Sequence, residues 1–224
     1  RFIKEDDDPR IFIDAGSSTE AVAATITENL REGGKKPTVF THNLGAWRVL
    51  SEPKDAIDLY LVGGRYNADL NANIEASGFR QQIEEWGPNI AIIAVSGVDS
   101  QGLWCSNIQD EHPVKSSLAT KKVERRIIVC DHSKIGRTDV RAFSPLEHLT
   151  KNCGEAFFIT DKKDWKQITT IRQEEYKLTL AQLKKEFTEE KVIEVDLESR
   201  TNPNDSPPPQ DDGGGDSTET TPKT

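Results

Sequence analysis

The alternation of short apolar runs with longer amphipathic segments constrains this chain more than any other feature. Ile11–Asp14, Thr38–Thr41, Ile57–Val62, Ile90–Val95, Arg126–Asp131, Ala156–Thr160 and Val192–Leu197 are rich in β-branched and apolar residues and read as strands. Between them, 18–32, 44–52, 77–87, 112–122 and 163–188 read as helices. Such alternation predicts an α/β fold: a mostly parallel twisted sheet with helices on both faces. Ligands of these sheets bind at the carboxyl ends of the strands. The residues to inspect are therefore those after each run: Asp14 to Ser17, Thr41 to Asn43, Gly63 to Arg65, Ser96 to Asp99, and Asp131 to Lys134.

The first of these junctions, IFIDAGSST over 11–19, is the most suggestive. An apolar run ends in Asp14, and a Gly-Ser-Ser-Thr turn then feeds an alanine-rich amphipathic segment. Gly16 lets the backbone turn sharply and approach a ligand, and Ser17, Ser18 and Thr19 offer hydroxyls. The unpaired N–H groups of a helix start carry partial positive charge, so the junction suits an anion such as a phosphorylated small molecule. The plainer alternative is that Ser18 or Thr19 only caps a helix.

With 224 residues, 34% hydrophobic and 30% charged, the chain reads as one domain plus a tail. Residues 1–10 form a lead-in, 11–198 the domain, and 199–224 a disordered acidic tail. That tail has almost no apolar side chains to offset its chain entropy. It holds Asp205, Asp211, Asp212, Asp216 and Glu219 against Arg200 and Lys223, which puts −3 of the net charge of −9 outside the folded part. In 163–188, Trp165, Ile168, Tyr176, Leu180, Leu183 and Phe187 fall near one helical stripe, as expected of an outer helix packed on its own core or of a dimer-forming helix.

Composition also excludes. Cys105, Cys130 and Cys153 are odd in number and lack CxxC or Cys/His spacing, which argues against a disulfide framework and a structural zinc; no metal or other cofactor is expected. Neither a membrane span nor a secretory leader is visible, so a cytoplasmic protein is expected. A net charge of −9 and a pI near 5.1 oppose direct binding to DNA. The chain contains no methionine, and Arg1 suggests that upstream sequence is missing.

Taken in order, IFIDAGSST, VFTHNLG, LYLVGG, ASGF, IAIIAVSGVDSQGLW, EHPVKSSL, IIVCDHSKIG and FFITD resemble the C-terminal effector-sensing domain of DeoR-type bacterial transcriptional repressors, over about 9–198. The resemblance implies a fold related to ribose-phosphate isomerases, glucosamine-phosphate deaminases and CoA transferases, a sugar-phosphate effector and a homo-oligomer. It implies contact with DNA only through an upstream winged helix-turn-helix, for which the strand starting near Ile11 leaves no room. The chain is then a cut-out sensor or a headless relative.

Position by position, Asp14, Gly16, Ser17, Ser18 and Thr19 match the family's D-x-G-[ST]-T loop. Thr41, His42 and Asn43 fall in the V-T-N-S-L region, with His42 where Asn is usual, unless Asn43 takes that place. Gly63 and Gly64 match a GG after the third strand, with Arg65 beside them as an anion partner. Ser96, Gly97, Asp99 and Gly102 match a G-x-x-G-[IV]-x-x-x-G region loosely. Lys115 matches the lysine of E-x-x-V-K, and Asp131, Ser133, Lys134 and Gly136 match D-x-S-K-x-G. A sugar phosphate needs donors, cations and hydroxyl acceptors. The 14–19 loop would supply the donors, Lys115 and Lys134 the charge, and Asp14 and Asp99 the acceptors. Each lysine is alternatively a surface cation or the partner of a nearby carboxylate.

Two other readings stay open. An isomerase or deaminase would draw a base from Asp99, Glu111 or Lys115, or a histidine from His42, His112 or His132. A protein-interaction scaffold would use the 163–188 helix and leave the pocket idle. The sensor reading, without catalysis, is the one expected. It predicts that ligand orders the Gly-, Asn- and Ser-rich loops at 63–76 and 96–110.

Overall fold

The computed structural model describes residues 8–31, 36–53, 55–74, 78–106, 108, 111–162 and 170–195. Seven parallel strands form the main sheet: β1 (Arg10–Ile13), β2 (Thr38–Thr41), β3 (Asp58–Leu61), β6 (Ile90–Ala94), β9 (Val123–Val129), β11 (Cys153–Asp161) and β12 (Val192–Val195). Their order across the sheet is β12-β11-β9-β6-β1-β2-β3, every pairing parallel. All seven correspond to the apolar runs expected as strands. The chain proceeds outward from β1 to β3, then returns to lay β6 on the other side of β1. The carboxyl ends of β1 and β6 therefore flank a topological switch point, where doubly wound sheets open a crevice.

The helices are α1 (Ser17–Arg31), α2 (Leu44–Ser51), α3 (Phe79–Trp86), α4 (Glu111–Thr120), α5 (Leu146–Leu149) and α6 (Thr170–Phe187). Side chains alternate along β1, so its two faces feed different cores. Ile11 and Ile13 pack with Ala23 and Ile26 of α1 and with Ala46 and Leu50 of α2. Phe12 belongs to the opposite core, with Ile83 of α3, Val114 and Leu118 of α4, Leu149 of α5, and Tyr176, Leu183 and Phe187 of α6. Helices thus cover both faces. The stripe on α6 faces its own core at Tyr176, Leu183 and Phe187, with Leu180 against it; Trp165 and Ile168 lie outside the described residues.

The stretches expected as loops at 63–76 and 96–110 instead contain hairpins. Strand β4 (Arg65–Asn67) pairs antiparallel with β5 (Ala72–Ile74). Strand β7 (Gly97–Val98) pairs with β8 (Gly102–Cys105), which also takes β10 (Arg141–Pro145) on its other edge. Asp99 closes the tighter hairpin: its Oδ1 accepts from the amides of Gln101 and Gly102 and from Trp104 Nε1, an Asx-type turn.

Arg126 on β9 is fully buried and donates to the carbonyls of Lys121, Leu149 and Lys151, tying the ends of α4 and α5 to the sheet. Among the described residues, no helix is long and apolar enough to cross a membrane. The acidic tail expected at 199–224 lies outside the described residues.

Candidate functional site

Asp14 follows β1 at the switch point and shows none of its surface to solvent. Its Oδ2 accepts from the Ala94 amide at the end of β6, 3.2 Å, and from Lys115 Nζ, 2.5 Å, while Oδ1 lies 3.0 Å from His42 Nε2. Lys115 reaches up from α4, donates to the Ala94 carbonyl at 2.8 Å and has Glu111 Oε1 at 3.8 Å. Four elements thus converge on one carboxylate. Burial pushes the Asp14 carboxyl up, but the Lys115 charge and the His42 hydrogen bond outweigh it, and Asp14 is held below the ordinary carboxylate range.

His42 follows β2 and is 2% exposed. Its ring lies 5.8 Å from those of Phe12 and Phe79, and its Nδ1 donates to the carbonyl of Asn73 on β5 at 2.9 Å. Asn73 Nδ2 donates in turn to the Val62 carbonyl just past β3. The β4–β5 hairpin is thereby bound to the ends of β2 and β3.

Above this buried layer runs the β1–α1 loop. Gly16 has φ +141°, and a Cβ there would come within 2.8 Å of Ala94 Cβ, so glycine is required both by conformation and by the approach to β6. The Gly16 carbonyl accepts the first helical bond, from the Glu20 amide. Thr19 Oγ1 lies 2.7 Å from the carbonyls of Asp14 and Gly16, and Asn43 Nδ2 donates to the Gly16 carbonyl at 3.1 Å. Asn43 Oδ1 accepts from the Ala46 amide and so caps α2 as well. Thr41 Oγ1 donates to the Ile13 carbonyl, closing β2 on β1.

These side chains hold the loop by its carbonyls, and His42 Nε2 lies 2.9 Å from the Ala15 amide. The N–H groups of Gly16, Ser17, Ser18 and Thr19 have no acceptor among the described residues. Ser17 is exposed and Ser18 half-buried.

The remaining sequence-flagged residues lie in three other places. Gly63 and Gly64 are exposed just past β3, beside Arg65. Ser96, Asp99 and Gly102 belong to the β7–β8 unit, where Ser96 bonds the Trp104 carbonyl through both its amide and its hydroxyl. A Cβ at Gly97 would come 2.3 Å from the Arg137 carbonyl oxygen, and one at Gly102 2.4 Å from that of Ser144, so both glycines admit neighbouring backbone.

Asp131 caps the 3-10 turn His132–Lys134 after β9, bonding the amide and hydroxyl of Ser133. Lys134 is half-buried there and makes no ion pair among the described residues. Asn73 escaped the sequence reading, for nothing in a polar hairpin marks which asparagine turns inward. The role of Asp161 escaped it too: at the end of β11 it accepts from the His132 amide at 2.5 Å and lies 2.7 Å from His132 Nδ1. It stands in the FFITD stretch but has no local partner to reveal it. No group of three or more His, Cys, Asp or Glu side chains suited to a metal occurs among the described residues.

No curated protein matches the sequence. Among solved structures, a short chain dehydrogenase from Mycobacterium smegmatis aligns with 85% of this chain and 92% of its own at 9% identity and a TM-score of 0.33, a likeness too distant to carry an argument. The family model of the DeoR C-terminal sensor domain matches residues 1–161, which take in the strand-end junctions from Asp14 to Asp161. The chain therefore belongs to the DeoR C-terminal sensor domain family.

Proposed function

We propose that the effector sensed by this domain is a phosphorylated sugar, received at the carboxyl ends of β1, β2 and β3. The observation that carries this reading is the set of uncommitted amides at Gly16–Thr19, opening a 15-residue helix at the switch point of the sheet. A phosphate dianion meets several donors and the positive end of the helix there. The hydroxyls of Ser17 and Ser18 add to them, and Gly63 and Gly64 leave room beside Arg65. Asp14, Lys115 and His42 hold the loop from below, and Asp14 and Lys115 satisfy one another there. On this reading Lys115 acts on the effector through the loop, and its charge is already matched.

A sensor must bind its effector more tightly in one arrangement than in another. The β4–β5 and β7–β8 hairpins, attached to the strand ends through Asn73 and Gly136, are the elements we assign to that change, with the geometry of a homo-oligomer as the readout. Hydrogen exchange with and without ligand tests that assignment: protection rises at Arg65–Ile74 and Gly97–Cys105 if it holds.

A thermal-shift screen over sugar phosphates and their unphosphorylated counterparts tests the ligand class. Stabilisation by the phosphorylated set alone, weakened about tenfold or more by Ser18→Ala, supports it, since a charge-assisted bond contributes about 1.5–3 kcal/mol. Ser18→Ala is the informative variant because its side chain supports no other described residue. No shift with any phosphosugar sinks the reading, and turnover of a hit moves the assignment to an isomerase or deaminase.

A further inference from the structure

His42 Nε2 faces two groups with opposite demands. The Ala15 amide donates to it at 2.9 Å, while Asp14 Oδ1, an acceptor, lies 3.0 Å away. One ring nitrogen cannot serve both at once. With Nδ1 committed as a donor to the Asn73 carbonyl, a neutral ring carries a lone pair on Nε2, which accepts from Ala15 and repels the carboxylate. A protonated ring carries N–H there, which donates to Asp14 and releases the Ala15 amide. Each state leaves one of the two buried groups without this partner.

We propose that His42 is a positioning residue that links effector binding to proton uptake, by switching its Nε2 from the Ala15 amide to Asp14 when an anion occupies the β1–α1 loop. The inference rests on the anion site proposed at Gly16–Thr19 and deepens it. Among the described residues, the charged groups recorded around this ring are Asp14, Lys115 and Glu111. Asp14 comes from β1, Lys115 and Glu111 stand behind Asp14 on α4, and the Phe12 and Phe79 rings are apolar walls.

With His42 neutral, Asp14, Glu111 and Lys115 together carry one net negative charge, directly beneath the place where an anion would bind. A proton on His42 cancels it. Water cannot screen the repulsion, since Asp14, Lys115 and His42 are each no more than 2% exposed, so bound anion and bound proton favour each other. Release of the Ala15 amide also frees the residue next to Gly16 to follow the loop as it closes on its ligand.

The test has two parts. In a 15N NMR pH titration of the unliganded protein, the His42 ring nitrogens and the Ala15 amide move together. A ring that titrates while the Ala15 amide stays still, or that does not titrate, overturns the switch. Calorimetry with ribose 5-phosphate and inorganic phosphate, in two buffers of different ionisation enthalpy near pH 7.5, then counts protons. Uptake of a measurable fraction of one proton, absent in His42→Asn, supports the linkage, as does His42→Asn affinity that no longer changes with pH. Binding without uptake overturns the linkage and leaves the phosphosugar reading standing. Failure of both probes to bind counts against the phosphosugar reading and the linkage, and the NMR titration then judges the switch alone.

Discussion

Lys115 and Asp14 stand 101 residues apart in the chain and meet with Nζ 2.5 Å from Oδ2, neither side chain more than 2% exposed. A buried pair of this kind contributes little over a well-packed apolar pair, because both ions were desolvated to form it. Breaking it is another matter, for the survivor is left as an unpaired charge in the interior. Lys115→Met should cost about 3–5 kcal/mol of folding stability, and Lys115→Met combined with Asp14→Asn clearly less than the two single losses added. Urea unfolding of the three variants measures this. A single-variant loss below about 1 kcal/mol would mean that the pair is solvated in solution.

The same pair makes stability depend on pH with a defined sign. Asp14 is held below the ordinary carboxylate range in the folded state, with burial opposed and outweighed by Lys115 and His42. Its contribution is therefore fully present above the unfolded value of about 3.9 and is lost as pH falls from there through the folded value. The stability gap between the parent protein and Asp14→Asn should narrow as pH falls below about pH 4. Urea midpoints at pH 6, 5, 4 and 3 decide it; a gap still constant at pH 3 contradicts the assignment.

The main sheet was legible because its strands are short, apolar and bounded by turn residues; Ile90–Ala94 is buried at every position and reads as a strand from composition alone. The hairpins were not. Gly97–Val98 and Arg65–Asn67 are two and three residues long, too short for periodicity, and form only where the main sheet presents them to partners. At the candidate site, the chemistry of Asp14 to Thr19 marked a strand–loop–helix junction, and β1 and α1 flank it. What sequence could not show is burial: a lysine aligned with a ligand cation and a lysine neutralised from within look the same until Asp14 is placed beneath it. The pairing of His132 with Asp161, 29 residues away, was hidden for the same reason.

Glycines separate the two kinds of position. Gly136 has φ +70°, and a Cβ there would lie 2.8 Å from the Tyr176 amide nitrogen, so the turn after β9 packs directly on the backbone of α6. Gly136→Ala combines left-handed strain of about 1–2 kcal/mol with an overpacking cost of about 1–3 kcal/mol. For a domain of this size the melting temperature should drop by roughly 5–15 °C. A Cβ at Gly63 meets nothing within 4 Å. Gly63→Ala should melt within about 2 °C of the parent, since surface changes rarely exceed about 0.5 kcal/mol. Equal losses in both would show that Gly63 serves the fold rather than open space at the strand ends.

The thiols should rank by burial. Cys105 is pushed up to about 11 by desolvation, with Glu111 adding to it, and Cys130, enclosed and beside Asp131, is pushed up further. Cys153 is half-buried and raised as well, but Arg126 opposes the rise. Thiolate is the reactive species, and at about pH 8 a thiol with a pKa near 11 presents only about one part in a thousand of it. Iodoacetamide should therefore modify Cys153 first in the native protein and leave Cys105 and Cys130 unmodified over the same interval, while all three react at comparable rates in urea. Peptide mass mapping reads the order directly. Early loss of Cys105 would mean that the β8–α4 junction, where Glu111 bonds the Ser106 amide and hydroxyl, opens in solution and brings the Lys115 end of the buried network into contact with water.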